Sequence, residues 1–588
     1  MFPSFLDDRT WLENDIFRMA LVIAMVMVLA MSVPAFAESG ARTVDSKITV
    51  SGLQDGDTVN YYKILKWDNG WKVNSPFVLT DEELATVVGN KTTPGAISYA
   101  LAQKLAGQIS SNEASAKYGP LTAASGKAEQ AEPEAGLYMG IITPAKSGYV
   151  YNPVFVAADY DQPASGDTSS WAVDLEKSYS DEAYAKKQEI TLEKTAEDQT
   201  TVDENTSETV AVGDKVDFEV TTVVPGFKDK NYPNPVFKIT DALSTGLELD
   251  LNSVTVTAPT GLTKGNQYSV TEQGNGYVLS FTANYLNSLA APTDVKISYS
   301  ATVTEAAKGK NINQEDNTVT LNYSNNPSDE EGHGTLKDKT NHYTFDIDGD
   351  LFGSTPYKAT EIVKVGVDKD GNEITETRTL DNGNTVGALE GAQFKLYKTE
   401  SDAIAKNDKQ IKTASSDEDG RINIQGLDAG TYWLVETSAP AGYIAATDPV
   451  KIEIVPTIEE VTVTEGTGND AVTYKTNILT AYSVKVNDVT TATYTVTPEG
   501  TVTTAEGKKT ISYENAADAT KIKEVDQGDK VGDTNVGDDA NSGKIKNTQG
   551  VALPSTGGIG TTIFYLVGTI LVLGAGILLI TRRRMSAK

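Results

Sequence analysis

Residues 215–224 read Lys-Val-Asp-Phe-Glu-Val-Thr-Thr-Val-Val, with apolar side chains recurring at every second position. Side chains alternate between the two faces of a strand, so this segment describes a strand with one dry face and one wet face. The same alternation runs through VFKITDAL (236–243), SVTVTAP (253–259), VKISYSATV (295–303) and NTVTLNYS (317–324). Such strands at short spacing, with turn residues between them, predict a β-sandwich from about Gln188 to Gly353.

Two further blocks flank it. From about Ser46 to Tyr179 the chain opens on ITVSGL and a turn-strand segment, DGDTVNYYKIL. A helical stretch follows around Leu84 to Ile109, with apolar residues at Leu84, Val87, Val88, Ile97, Leu101 and Leu105 and with Gly and Pro interrupting it. Strands return at GLYMGII and YVYNPVFVAADY. The last block, from about Tyr357 to Thr548, contains a strand-rich insertion from about Thr457 to Asp539. Its acidic stretch EVDQGDKVGDTNVGDD reads as a solvated loop.

Composition narrows the function. The 588 residues suffice for several domains, and no cysteine is present to form a disulfide or a thiolate metal site. A net charge of -31 argues against nucleic acid and anionic lipid as partners. Asp346, Asp348 and Asp350, and Asp368 with Asp370, read as turn formers and not as calcium loops. His333 and His342 read as surface residues, so no metal and no cofactor is expected.

Both ends carry addresses. Ala20 to Val33 is apolar and is followed by Ala35-Phe36-Ala37, a small-x-small cleavage site, which reads as a signal peptide over 1–37. Asp7, Asp8, Glu13 and Asp15 do not suit a basic leader, so the expected start is near Met19. A membrane anchor is the other reading, and the shortness of the run weighs against it. Near the C-terminus, Leu553-Pro554-Ser555-Thr556-Gly557 precedes an apolar run from Ile563 to Ile580 and then Arg582, Arg583, Arg584 and Lys588. Basic residues stay cytoplasmic, so everything before the run lies outside the cell.

This ending resembles the sorting signal of sortase substrates. The resemblance implies that a sortase thiolate attacks the Thr556 carbonyl, cleaves before Gly557 and passes the acyl group to an amine. The third block, with LEGAQF (389–394), LDAGTY (427–432) and ETSAPAGY (436–443), resembles the collagen-adhesin B-type domain. The second, with ITLEKTA, PVFKITDALSTGLEL and NTVTLNYSNNP, resembles the isopeptide-forming domain of Gram-positive major pilins. The implied fold is all-β: tandem immunoglobulin-like and collagen-adhesin B-type sandwiches, with a C-terminal transmembrane helix removed on sorting. The implied units are 1–37, 38–187, 188–353, 354–548 and the sorting signal 549–588.

The resemblance also implies internal Lys–Asn isopeptide bonds, and strand phase tests this. Lys194 is in phase with Ile190 and Leu192, Asp241 with Phe237 and Ile239, and Asn317 with Val319, Leu321 and Tyr323. Three polar groups on inner faces are costly unless they pair. A desolvated Lys194 amine is a nucleophile, and a protonated Asp241 can polarise the Asn317 amide, with ammonia expelled. Asn322 and Asn326 are out-of-phase alternatives, and an edge position with a snorkelling Lys194 is the competing reading. The third block's trio is Lys364, Glu436 and Asn547. Glu436 is in phase with Leu434 and Asn547 with Ile545, whereas Lys364 alternates against Val363, Val365 and Val367.

A pilus shaft also needs an acceptor lysine, which the family carries in a Tyr-Pro-Lys-Asn type motif. Here Tyr184-Ala185-Lys186 keeps the Tyr and Lys, Ala185 replaces the Pro and Lys187 replaces the Asn. Lys186 is the expected acceptor, with Lys187 and Lys177 as alternates, and a plain basic linker is the competing reading. The chain therefore reads as a structural subunit on the cell wall and not as an enzyme. Its implied partners are class C and housekeeping sortases, copies of itself, accessory pilins, peptidoglycan and a host matrix protein or glycan. The alternative is a monomeric wall-anchored adhesin.

Overall fold

In the computed structural model, residues 47–550 are described apart from short stretches and the longer segments 159–174, 199–207, 349–361, 499–509, 513–521 and 528–543, and residues 559–585 are described as well. The expected signal peptide, the motif at 553–557, Lys177 and Asp350 lie outside the described residues.

The strand Lys215–Val224 buries Val216, Phe218, Val220 and Val224 on one face. It lies in a four-stranded antiparallel sheet in the order Leu192–Asp198, Lys215–Val224, Thr293–Val303, Leu247–Ala258. A six-stranded sheet supplies the other layer, in the order Tyr268–Glu272, Gly276–Phe281, Phe237–Leu243, Ile312–Ser324, His333–Asp348, Asn423–Leu427. Phe218, Val220 and Ile297 from the first sheet and Ile239, Leu279 and Leu321 from the second form one dry core. Alternation on both sheets thus produces a sandwich whose inner faces interdigitate.

The preceding block is also largely β. Trp71–Val73, Thr58–Trp67, Gly136–Thr143 and Val154–Ala158 form one sheet, with Tyr118–Thr122 also on Thr58–Trp67. Lys127–Ala131, Lys47–Ser51 and Glu182–Tyr184 form a smaller one. The helical stretch is two helices, Asp81–Val88 and Tyr99–Ser111. The first starts at a reciprocal cap between Thr80 and Glu83 and stops at Gly89, whose φ of 71° is open to glycine. Val87, Leu101, Leu105 and Ile109 pack on Leu137, Met139 and Ile141.

The third block contributes an eight-stranded sheet centred on Gln393–Tyr397, Gly430–Ser438, Val450–Glu465 and Val472–Val486. A small sheet pairs Val363–Val367 in parallel with Lys544–Gln549, and Tyr443–Ile444 completes it. The second and third blocks are continuous. The 16-residue strand His333–Asp348 pairs along Ile312–Ser324 and ends on Asn423–Leu427. Its Phe345 and Ile347 belong to the third block's core with Ile362, Phe394 and Tyr432.

The hairpin of Val450–Glu465 and Val472–Val486 reaches back over this strand. Asn341 Nδ2 donates to Thr476 Oγ1 (3.0 Å) and to the Asn477 carbonyl (2.8 Å). Thr476 donates to the Lys339 carbonyl at 2.8 Å, and Lys337 pairs with Glu465 at 2.6 Å.

Three details depart from the sequence reading, at the acidic stretch, at Asp346 with Asp348 and at His342. Glu524 to Gln527, the start of the acidic stretch, belongs to the strand Ile522–Gln527, paired to Val489–Pro498; pairing a neighbouring strand outweighs its charge. Asp346 and Asp348 lie in the strand His333–Asp348 and not in a turn, and Asp346 is buried. Asp368 does form an exposed turn, accepting the Asp370 and Asn372 amides, which hold its carboxyl below the usual range. His342 is buried, its ring 3.0 Å from the Thr340 hydroxyl and edge-on to Phe218, while His333 is exposed. The strand is covered on both faces here, so His342 is buried together with its neighbours Asn341 and Tyr343.

The C-terminal helix Ile559–Met585 is long and apolar enough to cross a membrane, and its span Leu566–Arg583 is not buried against the protein. Twenty-seven residues rise about 40 Å, more than a hydrocarbon core requires.

Candidate functional site

The sandwich brings Lys194, Asp241 and Asn317 together. Lys194 enters from the strand Leu192–Asp198, Asp241 from Phe237–Leu243 and Asn317 from Ile312–Ser324. All three side chains are buried. Lys194 Nζ donates to Asp241 Oδ2 at 2.6 Å and lies 5.2 Å from the centre of the Phe218 ring. The Lys194 backbone amide is pinned by Asp338 Oδ2 at 2.6 Å, which fixes the root of the side chain. Burial pushes the Lys194 amine below the ordinary lysine range, with Asp241 opposing. Burial likewise pushes the Asp241 carboxyl up, against the pull of Lys194 and Tyr299. Both shifts favour a neutral amine beside a neutral acid.

Tyr299 stands in the middle of this trio, and sequence reasoning missed it. Its hydroxyl donates to Asp241 Oδ2 at 2.8 Å and accepts from Asn317 Nδ2 at 2.8 Å and from Lys194 Nζ. A signal was present: Tyr299 is in phase with Val295, Ile297 and Ala301, and an inward-facing tyrosine needs a partner for its hydroxyl. Gly276 was also missed. A Cβ there would lie 2.0 Å from the Asp241 carbonyl, so only glycine lets the neighbouring strand pair this closely beside the acid.

The third block repeats the theme with different parts. Lys364 comes from Val363–Val367, Asn547 from the parallel strand Lys544–Gln549 and Glu436 from Gly430–Ser438. Lys364 Nζ donates to Glu436 Oε2 at 3.0 Å and to Asn547 Oδ1, and Asn547 Nδ2 donates to Glu436 Oε1 at 2.7 Å. Glu436 Oε2 also accepts the Ala446 amide at 2.8 Å. Burial lowers the Lys364 amine to about 8 against the attraction of Glu436. The phase conflict at Lys364 resolves because this strand is buried on both faces. Val363 and Val365 pack on Ala388, while Ile362 joins the main core with Ile545.

The proposed acceptor sits where the first block meets the second. Lys186 lies between Glu182–Tyr184, which pairs with Lys47–Ser51, and Lys187–Glu189, which pairs with Tyr149–Tyr151. The Lys186 carbonyl accepts the Asn152 amide at 3.1 Å. Its side chain is exposed and its amine has no partner among the described residues. The Lys187 amine instead lies 4.6 Å from the centre of the Tyr149 ring. Among the described residues, no group of three or more His, Asp or Glu could hold a metal ion.

Paired sandwiches with buried Lys–acid–Asn trios and a C-terminal apolar helix define a modular surface protein. The chain matches family models for a Gram-positive pilin backbone subunit 2, Cna-B-like domain (212–327), the SpaA prealbumin-like fold domain (375–468) and the LPXTG cell wall anchor motif (545–586). It is 26% identical over 496 residues to the trypsin-resistant surface T6 protein of Streptococcus pyogenes serotype M6, covering 76% of this chain and 79% of that one. It is 24% identical over 335 residues to the fimbrial subunit type 2 of Actinomyces naeslundii, covering 52% of this chain and 57% of that one. The solved T6 backbone pilin of S. pyogenes superposes with a TM-score of 0.53 at 19% identity, covering 87% of this chain and all of that one. Together these matches support a Gram-positive backbone pilin with an LPXTG sorting signal. The anchor match and the terminal apolar helix support a surface protein attached covalently to the cell wall, and with the backbone match they imply sortase processing and polymerisation with other pilins.

Proposed function

We propose that this chain is the repeating shaft subunit of its pilus, joined through the Lys186 amine of one subunit and the Thr556 carbonyl of the next. Within each subunit, Lys194–Asn317 and Lys364–Asn547 condense into isopeptide bonds, with Asp241 and Glu436 as the acids. The observation that carries this reading is the burial of two lysine amines within hydrogen-bond reach of an acid, each with an asparagine amide completing the cluster. Such groups would be costly if they only met as ions in a dry core. A neutral amine, a neutral acid and a rigidly held amide need no enzyme, because the fold supplies proximity. Asp241 Oδ1 and Asn317 Oδ1 are both buried without hydrogen-bond partners, a surrounding that disfavours an ionised acid.

The units 38–187, 188–353 and 354–548 are the proposed domains, following a signal peptide over 1–37. A class C sortase would build the polymer, a housekeeping sortase would anchor it, and a host matrix protein or glycan is the proposed adhesion target. Intact-mass measurement of the ectodomain should show two ammonia molecules lost, and peptide mapping should place the links. A mass equal to the plain sequence would sink both bonds. Immunoblots of boiled wall extracts test the polymer: a ladder in wild type that collapses in Lys186→Ala is expected. A ladder that persists moves the acceptor to Lys187 or Lys177, and a single band in both strains makes the chain a monomeric adhesin.

A further inference from the structure

The two trios differ in how the acid reaches the asparagine nitrogen. Glu436 spans both reactants alone, with Oε2 on Lys364 Nζ and Oε1 on Asn547 Nδ2. Asp241 is one methylene shorter. Its Oδ2 holds Lys194, its Oδ1 has no partner, and no contact joins it to the Asn317 nitrogen. Tyr299 fills that gap, with its hydroxyl 2.8 Å from both Asp241 Oδ2 and Asn317 Nδ2.

We propose that Tyr299 is a catalytic residue of the Lys194–Asn317 condensation, carrying the proton from the acid to the departing amide nitrogen. This rests on the cross-linking function proposed above and deepens it: an Asp–Tyr pair in the second domain does what one Glu does in the third. The lone pair of neutral Lys194 Nζ adds to Asn317 Cγ, and the carbonyl π pair moves to Oδ1. The surplus proton on Nζ passes to Asp241, and the proton Asp241 held passes through the Tyr299 hydroxyl to Nδ2. The carbonyl then re-forms, the Cγ–Nδ2 bond breaks, and ammonia leaves with that electron pair. Net, one proton moves from Nζ to Nδ2, and Asp241 and Tyr299 end as they began.

The phenol can be removed without removing the ring. Tyr299 stacks on Phe218 at 5.1 Å and meets Tyr277 edge-on at 5.1 Å, and phenylalanine keeps both contacts. The test follows linkage formation by peptide mapping during cell-free synthesis of the ectodomain, using the Lys364–Asn547 bond in the same molecule as an internal clock. Tyr299→Phe should slow the second-domain bond about 10²-fold, the usual scale of a general acid, and leave the third-domain bond unchanged. Adding Asp241→Glu to Tyr299→Phe should restore the bond, since a Glu reaches the nitrogen directly. Tyr299→Phe cross-linking at the wild-type rate would overturn the assignment. So would a double variant no faster than Tyr299→Phe, which would leave Tyr299 a packing residue. A wild-type chain lacking the Lys194–Asn317 link while keeping Lys364–Asn547 would instead remove the underlying reaction in this domain.

Discussion

The second and third domains solve one chemical problem with different side-chain inventories. In the third, a single Glu436 bridges amine and amide, and Lys364 and Asn547 sit on adjacent parallel strands. In the second, Lys194 and Asn317 lie on opposite layers of the sandwich, and a short acid works with a phenol between them. The proposed link would therefore join two layers in one domain and two neighbours within one sheet in the other. What both sites share is desolvation, which lowers the lysine in each.

The proposed bonds also divide the chain by tension. Force entering at Lys186 would pass through Lys194 to Asn317, then along the chain to Lys364, across to Asn547 and out to Thr556. Residues enclosed by each bond are shielded, and the segment between Asn317 and Lys364 is not. That segment contains the strand His333–Asp348, over which the hairpin of Val450–Glu465 and Val472–Val486 is folded.

The largest expected effect comes from removing a bond. Asn547→Ala should show one ammonia lost, not two, against its own sequence mass and destabilise the third domain by about 5 kcal/mol, the loop-entropy scale for an enclosed loop of more than a hundred residues. Asn317→Ala should behave alike in the second domain, because the cost grows only with the logarithm of loop length. Calorimetry in which only one of them lowers the melting temperature would break the symmetry between the sites.

Exchanging the acids comes next. Glu436→Asp should lose most of its third-domain linkage, since the shorter acid has no phenol to complete the span, whereas Asp241→Glu should keep the second. Peptide mapping reads both, and retention of full linkage in Glu436→Asp would show that reach is not what separates the two sites.

The pH dependence is subtler. In Asn547→Ala, Lys364 stays unreacted, with a folded value near 8 against 10.5 for a free lysine. Between these values the unfolded chain binds the extra proton, so stability rises with pH from about 8 to about 10.5, by on the order of 3 kcal/mol in all. Denaturant titrations that are flat across this window would show that Lys364 stays charged in the core. Smallest is the clamp: Lys337→Ala should cost under about 1 kcal/mol, as half-exposed ion pairs do, and leave the mass loss unchanged. A larger loss would mark the hairpin as a main brace of the unshielded strand.

Much of this was legible before any coordinates. Period-two alternation gave the sandwich, and the same alternation put Lys194, Asp241, Asn317, Glu436 and Asn547 on inner faces, because a polar residue in phase with apolar ones has nowhere else to point. The terminal motif and apolar run needed no fold at all, since they are read by linear spacing. Tertiary structure decided the rest. Lys364 broke the rule because its strand is buried on both faces, so phase there carries no information. Tyr299 looked like any core aromatic until strands distant in sequence brought its hydroxyl between the acid and the amide. The continuity of the second and third domains through His333–Asp348 depends on pairings between segments far apart in the chain. Local pattern determines which way a side chain faces, and only packing determines what it meets.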